Sequence, residues 1–255
     1  MIAVLDYGIG NLRSAQKALE HVGADAALVT DPDHALEADG FVLPGVGAFG
    51  RCLEALRASG LDRVVATVVA DGRPFIGICV GMQMLYEGSE ENPDAVGLGV
   101  LPGIVSRLPA GVKHPQMQWN RLIVSEPSPM FPAGGGLAAG GLAAGGLAAG
   151  GLADAGEQWM YFVHSFAPPA GPDVVAVCEY GGPVTAAVVR GNVWATQFHP
   201  EKSGTAGLAL LSRFARTVEQ ASGVPAQPSA ASVDAGPLAR TSAVAGAPGA
   251  VTGGR

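Results

Sequence analysis

The chain has 255 residues, 48% of them hydrophobic and 15% charged. That composition excludes disorder of the chain as a whole and suits one globular domain with a sizeable core. Fifteen Lys and Arg against 22 Asp and Glu give a formal charge of −7 with no basic run, which argues against a nucleic-acid partner.

From the start, Ile2 to Leu5 reads as a short strand ending at Asp6-Tyr7-Gly8, followed by a helix whose Leu12, Ala15, Leu19 and Val22 share one face. No basic region precedes Asp6, so a secretory signal is not expected. Ala26 to Val29 and Phe41 to Leu43 are further strands, the second closing on Pro44-Gly45-Val46-Gly47. Leu53, Leu56 and the run Val64 to Val69 follow as helix; Pro74 to Ile78 is a strand, and Met82 to Tyr86 begins another helix. This alternation predicts an α/β fold with a parallel sheet and helices on both faces, with active groups at the carboxyl ends of the strands.

The second half is strand-like: Ile104 to Leu108, Arg121 to Val124, Trp159 to Phe166, Val174 to Tyr180, Thr185 to Val189 and Val193 to Phe198. A last helix, with Leu208, Leu211, Ala215 and Val218 on one face, starts after Ser203 as its N-cap. Two segments fall outside this pattern. Gly135 to Ala139 reads GGLAA and repeats through Asp154, placing Leu137, Leu142, Leu147 and Leu152 five residues apart. Five matches neither the helical nor the strand period, so a flexible insert at about 133–153 is expected rather than a membrane span. Residues 220–255 are mostly Ala, Gly, Pro, Ser and Val and read as a disordered tail, leaving 1–219 as the domain.

Cys79 lies in Gly77-Ile78-Cys79-Val80-Gly81, between strand and helix, in the cysteine form of a nucleophile elbow. The glycines allow a turn too tight for side chains, and N–H groups at the helix start favour a thiolate. By itself the pentapeptide also fits a small buried residue. Cys52 and Cys178 lack glycine flanks and read as core. The three scattered cysteines suit a reducing cytoplasm and form neither a disulfide framework nor a CxxC metal site; no metal or cofactor is expected.

A cysteine nucleophile needs a base and the base an orienting acceptor. His199 follows an apolar strand and precedes Pro200-Glu201; in an extended segment the His199 and Glu201 side chains point the same way. His21 and His34 read as surface residues. Val80 N–H and a donor from Gly45, Val46 or Gly47 are candidates for an oxyanion site.

Together, Pro44-Gly45-Val46-Gly47, Gly77-Ile78-Cys79-Val80-Gly81-Met82-Gln83 and His199-Pro200-Glu201-Lys202-Ser203 resemble class I, triad-type glutamine amidotransferases. The opening Asp6-Tyr7-Gly8-Ile9-Gly10-Asn11-Leu12 narrows the resemblance to the glutaminase subunits of imidazole glycerol phosphate synthase, over Met1 to about Glu219. The resemblance implies a flavodoxin-like, open, mixed but largely parallel sheet. It implies that Cys79 attacks the side-chain amide of L-glutamine, that His199 moves the protons and that Glu201 orients His199. The ammonia released would pass, in a heterodimer, to a cyclase subunit, a (βα)8 barrel. Gln83, His164, Ser165 and Phe166 would line the glutamine pocket, and Asn11, Trp119, Asn120 and Lys202 would lie near the cyclase. Two features depart from the family pattern: Gln118 replaces a glycine, which implies an altered turn, and the GGLAA insert is foreign to it. Competing readings are the glutaminase of another triad amidotransferase, such as pyridoxal phosphate synthase, and a non-catalytic binding protein on the same fold.

Overall fold

A computed structural model describes residues 1–133 and 158–223. The predicted insert, apart from Ala133, and the predicted tail beyond Gly223 lie outside the described residues.

The first strands and helices alternate as β1 (Ile2–Leu5), α1 (Leu12–His21), β2 (Ala26–Val29), α2 (Pro32–Leu36), β3 (Gly40–Gly45), α3 (Phe49–Ala58) and α4 (Leu61–Ala70). There follow β4 (Phe75–Cys79), α5 (Val80–Met84), and the short strands β5 (Gly88–Ser89) and β6 (Ile104–Arg107). Long strands then dominate: β7 (Gln116–Val124), β8 (Gln158–His164), the two-residue β9 (Phe166–Ala167), β10 (Val174–Glu179), β11 (Pro183–Arg190) and β12 (Val193–Thr196). One turn of 3-10 helix at Pro200–Lys202 leads into α6 (Gly204–Ser222).

Nine strands form one sheet in the order β2-β1-β3-β4-β12-β11-β10-β7-β8. The five from β2 to β12 pair in parallel and the rest antiparallel. The parallel part follows from the sequence: β1, β3 and β4 are buried at every residue, as strands covered on both faces must be. Helices α1 and α6 pack against one another, while α3 packs with α4 and α5. Trp194 of β12 meets Phe214 of α6 edge-on at 5.6 Å, and both are fully buried. Each such aromatic contributes roughly 2–3 kcal/mol by leaving water. A second sheet, β5-β6-β9, sits beside this core. No helix of the described residues is long and apolar enough to cross a membrane.

Several expectations change in detail. The helical run from Leu53 to Val69 is two helices, because Gly60 between them is left-handed at φ +75°. Helix α2 is set by Asp31, whose carboxylate accepts from His34 N–H at 2.8 Å, and by Pro32 at its first position. α6 continues to Ser222, past the boundary expected at Glu219, and ends at left-handed Gly223. Ser203 makes no side-chain cap to α6; its hydroxyl serves the site instead.

Candidate active site

β4 delivers Cys79 to the carboxyl edge of the sheet. Among the described residues it is the one non-glycine residue with positive φ, at φ 56° and ψ −113°. Holding it there costs roughly 1–3 kcal/mol, and its neighbours enforce it. A Cβ on Gly77 would lie 3.0 Å from the Gly81 backbone, and one on Gly81 would overlap the Leu43 carbonyl. A Cβ on Gly45 would come within 2.6 Å of Gly81 N. Strand β3 and the start of α5 are therefore pressed together, and the sulfur has one way to point. Helix α5 has only five residues, too few for a long summed dipole at the sulfur.

Register brings the candidate base to the candidate nucleophile. β12 runs parallel to β4 with Thr196 opposite Ile78, so the next residues of the chain arrive beside Cys79. Past the strand, His199 N–H donates to Tyr161 O at 3.0 Å. Tyr161 N–H donates to Ser203 Oγ at 3.0 Å, and that hydroxyl donates to His199 O at 2.6 Å. The backbone of β8 thus clamps both ends of the His199 to Ser203 turn. The HPE segment is not extended as expected: Glu201 lies in the 3-10 turn, which folds its carboxylate back to His199. Glu201 Oε1 sits 2.8 Å from His199 Nδ1, and Asn11 Nδ2 donates to the same oxygen at 3.3 Å.

With Nδ1 held by Glu201, Nε2 is the free ring nitrogen, buried and without a formed hydrogen bond. Burial works against the imidazolium, but the Cys79 sulfur and the Glu201 carboxylate outweigh it and push His199 up to about 10.

Cys79 and His199 line a pocket of about 260 Å³, with Val46, Gly47, Val80, Gln83, His164, Ser165 and Phe166 also on its wall. Its volume suits an amino acid better than a nucleotide. Of the predicted oxyanion residues, Gly45 lies behind the wall as the close-approach glycine. Tyr7 donates its hydroxyl to Pro44 O at 2.7 Å and Cys52 its thiol to Val46 O at 3.2 Å, so both carbonyls of this turn are held by the core. Burial pushes the Cys52 thiol up, keeping it a neutral donor.

Gln83 is buried; its Nε2 donates to Phe166 O at 2.9 Å and to Gln197 Oε1 at 3.0 Å, leaving its own Oε1 without a protein donor. His164 Nδ1 lies 2.9 Å from Phe166 O, an acceptor, so the proton is on Nδ1 and Nε2 carries a lone pair. Burial lowers His164 to about 4, hence it is neutral where His199 is charged. Glu91 also lines the pocket. Its Oε2 accepts from Phe49 N–H at 2.8 Å, capping α3 from another loop. Sequence reasoning passed over Glu91 and Gln197, since neither lies in a spacing motif; the Ser89-Glu90-Glu91-Asn92 run was the one signal for the first. Among the described residues no cluster of His, Cys, Asp and Glu is suited to a metal.

Outside the triad, Tyr161 was also missed. Its ring lies 6.4 Å from His199, 6.2 Å from Trp119 and 6.0 Å from the Lys202 ammonium. Asn11, Trp119 and Lys202 are therefore gathered around the back of the triad. Asn120 is not: it donates to Glu179 O at 2.9 Å, as strand alternation turns it away from Trp119. Gln118 alters no turn; it lies within β7 opposite Phe162.

The model of the family described as Glutamine amidotransferase class-I matches residues 3–218. The chain belongs to that family. It is 43% identical over 219 residues to the "Imidazole glycerol phosphate synthase subunit HisH" of Methanothermobacter thermautotrophicus, covering 86% of this chain and 99% of the relative. It is 45% identical to the subunit of the same name from Thermobifida fusca, covering 85% and 98%. A crystal structure described as a glutamine amidotransferase superposes with a TM-score of 0.61 at 23% identity, covering 88% of this chain and 99% of that one, and shows the class I amidotransferase fold.

Proposed function

We propose that this amidotransferase hydrolyses L-glutamine to glutamate and ammonia as the glutaminase subunit of imidazole glycerol phosphate synthase, in histidine biosynthesis in the cytoplasm. The assembly of Cys79, His199 and Glu201 at the edge of an amino-acid-sized pocket carries this reading. The alternative of a non-catalytic binding protein offers no reason for a buried, charged histidine beside a strained cysteine.

The sulfur of Cys79 attacks the carbon of the side-chain amide, and the negative charge moves to oxygen. N–H groups of Val80 and the 46–47 turn stabilise that oxyanion, each contributing on the order of 3 kcal/mol. His199 Nε2 gives its proton to the leaving nitrogen, ammonia departs, and a thioester remains. The neutral His199 then takes a proton from water, which attacks the thioester and releases glutamate. Glu201 holds the ring throughout. The Glu91 carboxylate complements the α-ammonium of glutamine, and Gln83 Oε1 accepts an N–H from it.

The partner is the (βα)8 cyclase subunit, which consumes the ammonia in making imidazole glycerol phosphate and an aminoimidazole carboxamide ribotide. Support comes from the exposed face of β7 and β8, where Met117, Trp119 and Trp159 are large apolar residues about half open to water. The decisive experiment is co-purification with a cyclase subunit followed by glutaminase assay. Glutamate release that rises in the complex supports the reading; equal rates with and without cyclase show that the partner does not activate the subunit, and no glutamate in either removes the function.

A further inference from the structure

Gln197, which no mechanistic step above uses, touches the nucleophile. It is fully buried, and its Nε2 lies 3.7 Å from Cys79 Sγ, a normal separation for N–H donation to sulfur. Its backbone N–H donates to Ala186 O at 2.8 Å, anchoring it beside β11. Which end of the Gln197 amide faces the sulfur is decided by its neighbours. Phe166 O can only accept, so the Gln83 atom 2.9 Å from it is nitrogen. That nitrogen also lies 3.0 Å from the Gln197 amide, whose facing atom must be oxygen. The nitrogen of Gln197 is then left for Cys79.

Besides the His199 ring, whose protonated form the sulfur favours, the Cys79 thiol has little to bond with. Val163 O is 4.0 Å away, at the limit of a hydrogen bond involving sulfur. A neutral thiol gains little from a donor, whereas a thiolate gains a charge-assisted bond. We propose that Gln197 stabilises the thiolate of Cys79 and fixes the sulfur's position, with its amide held in the donating orientation by Gln83 and the Phe166 carbonyl. This rests on Cys79 being the nucleophile, and makes the chain Phe166–Gln83–Gln197–Cys79 a link between the pocket wall and the reacting atom.

The test measures alkylation of Cys79 by iodoacetamide in the full chain across pH, with the modified cysteine identified by peptide mapping. The sulfur displaces iodide, so the rate follows the thiolate fraction without needing substrate or partner. Gln197→Met keeps length and volume but removes the donor. Its alkylation at pH 7 is expected to be about tenfold slower than wild type, with the difference shrinking as rising pH makes the thiolate in both proteins, as loss of one hydrogen bond to a charged group predicts. Gln83→Met leaves the sulfur's donor in place but frees the amide to turn; a loss of about threefold is expected, in the same direction. It also carries the test if Gln197→Met does not fold. Unchanged rates at pH 7 in the folded variants, or an equal loss at every pH, overturn the proposal, because a merely structural role changes access and not ionisation. Failure of wild type to release glutamate with cyclase, alongside the expected alkylation pattern, would sink the glutaminase reading and leave the Gln197 contact standing.

Discussion

The two halves of the main sheet use the same backbone geometry for opposite ends. β1, β3 and β4 are buried at every residue, and the close approach of β3 to the Cys79 elbow leaves no freedom at the nucleophile. β7 and β8 bury one face through Leu122, Met160 and Phe162 and expose Met117, Trp119 and Trp159 on the other. The first half is packed tightly on both faces; the second leaves an apolar face uncovered. Tyr161 of β8 joins them, its backbone clamping His199 and its ring meeting Trp119.

Removing the nucleophile is the most severe way to break that contrast. Cys79→Ala is expected to lower glutamine hydrolysis by about 10⁴-fold or more while the complex still uses free ammonia. Glutamate assays with glutamine and with ammonium salts check both halves of the statement. Next, Gly81→Ala drives a methyl into the Leu43 carbonyl and should destabilise the fold by at least about 3 kcal/mol, read from urea unfolding.

Trp119→Ala, in the open half, should instead leave stability within about 0.5 kcal/mol while weakening cyclase binding by roughly 30-fold. Calorimetric titration and unfolding of the same preparation separate the two effects.

The pH dependence sharpens the comparison of the two histidines. The unfolded chain protonates His164 below about 6.5, but the folded one only near 4, so acidification between these values should lower stability. His199 has the opposite sign: its contribution is complete below 6.5 and is lost as pH rises through about 10. His164→Phe should flatten the acid limb of the unfolding midpoint and His199→Asn the alkaline limb; the reverse pattern would show the charge states to be misassigned. The smallest effect is expected for deletion of residues 135–151. The described residues stop at Ala133 and resume at Gln158, the end of β8 about 20 Å along the strand from His164 at the pocket. Folding and glutaminase activity should be nearly unchanged.

Much of the site was legible because its chemistry demands local patterns. Gly77-Ile78-Cys79-Val80-Gly81 names the elbow through a steric requirement, and His199-Pro200-Glu201 places acceptor and base two residues apart. Even there the reason differed from expectation, since a 3-10 turn and not an extended strand brings Glu201 to His199. Ser203 shows the limit of a local rule: its position is that of an N-cap, yet its hydroxyl bridges β8 and His199.

The order of residues alone determined the alternating elements, the glycines that make the Cys79 turn feasible and the candidates for base and acceptor, because each depends on neighbours within a few positions. Only the tertiary structure decided that β12 lies beside β4, that Tyr161 clamps the histidine turn, that Glu91 reaches the pocket from the α3 cap and that Gln197 donates to the sulfur. These depend on strand order and register between segments tens to more than a hundred residues apart, where one residue of slip would turn every side chain to the other face.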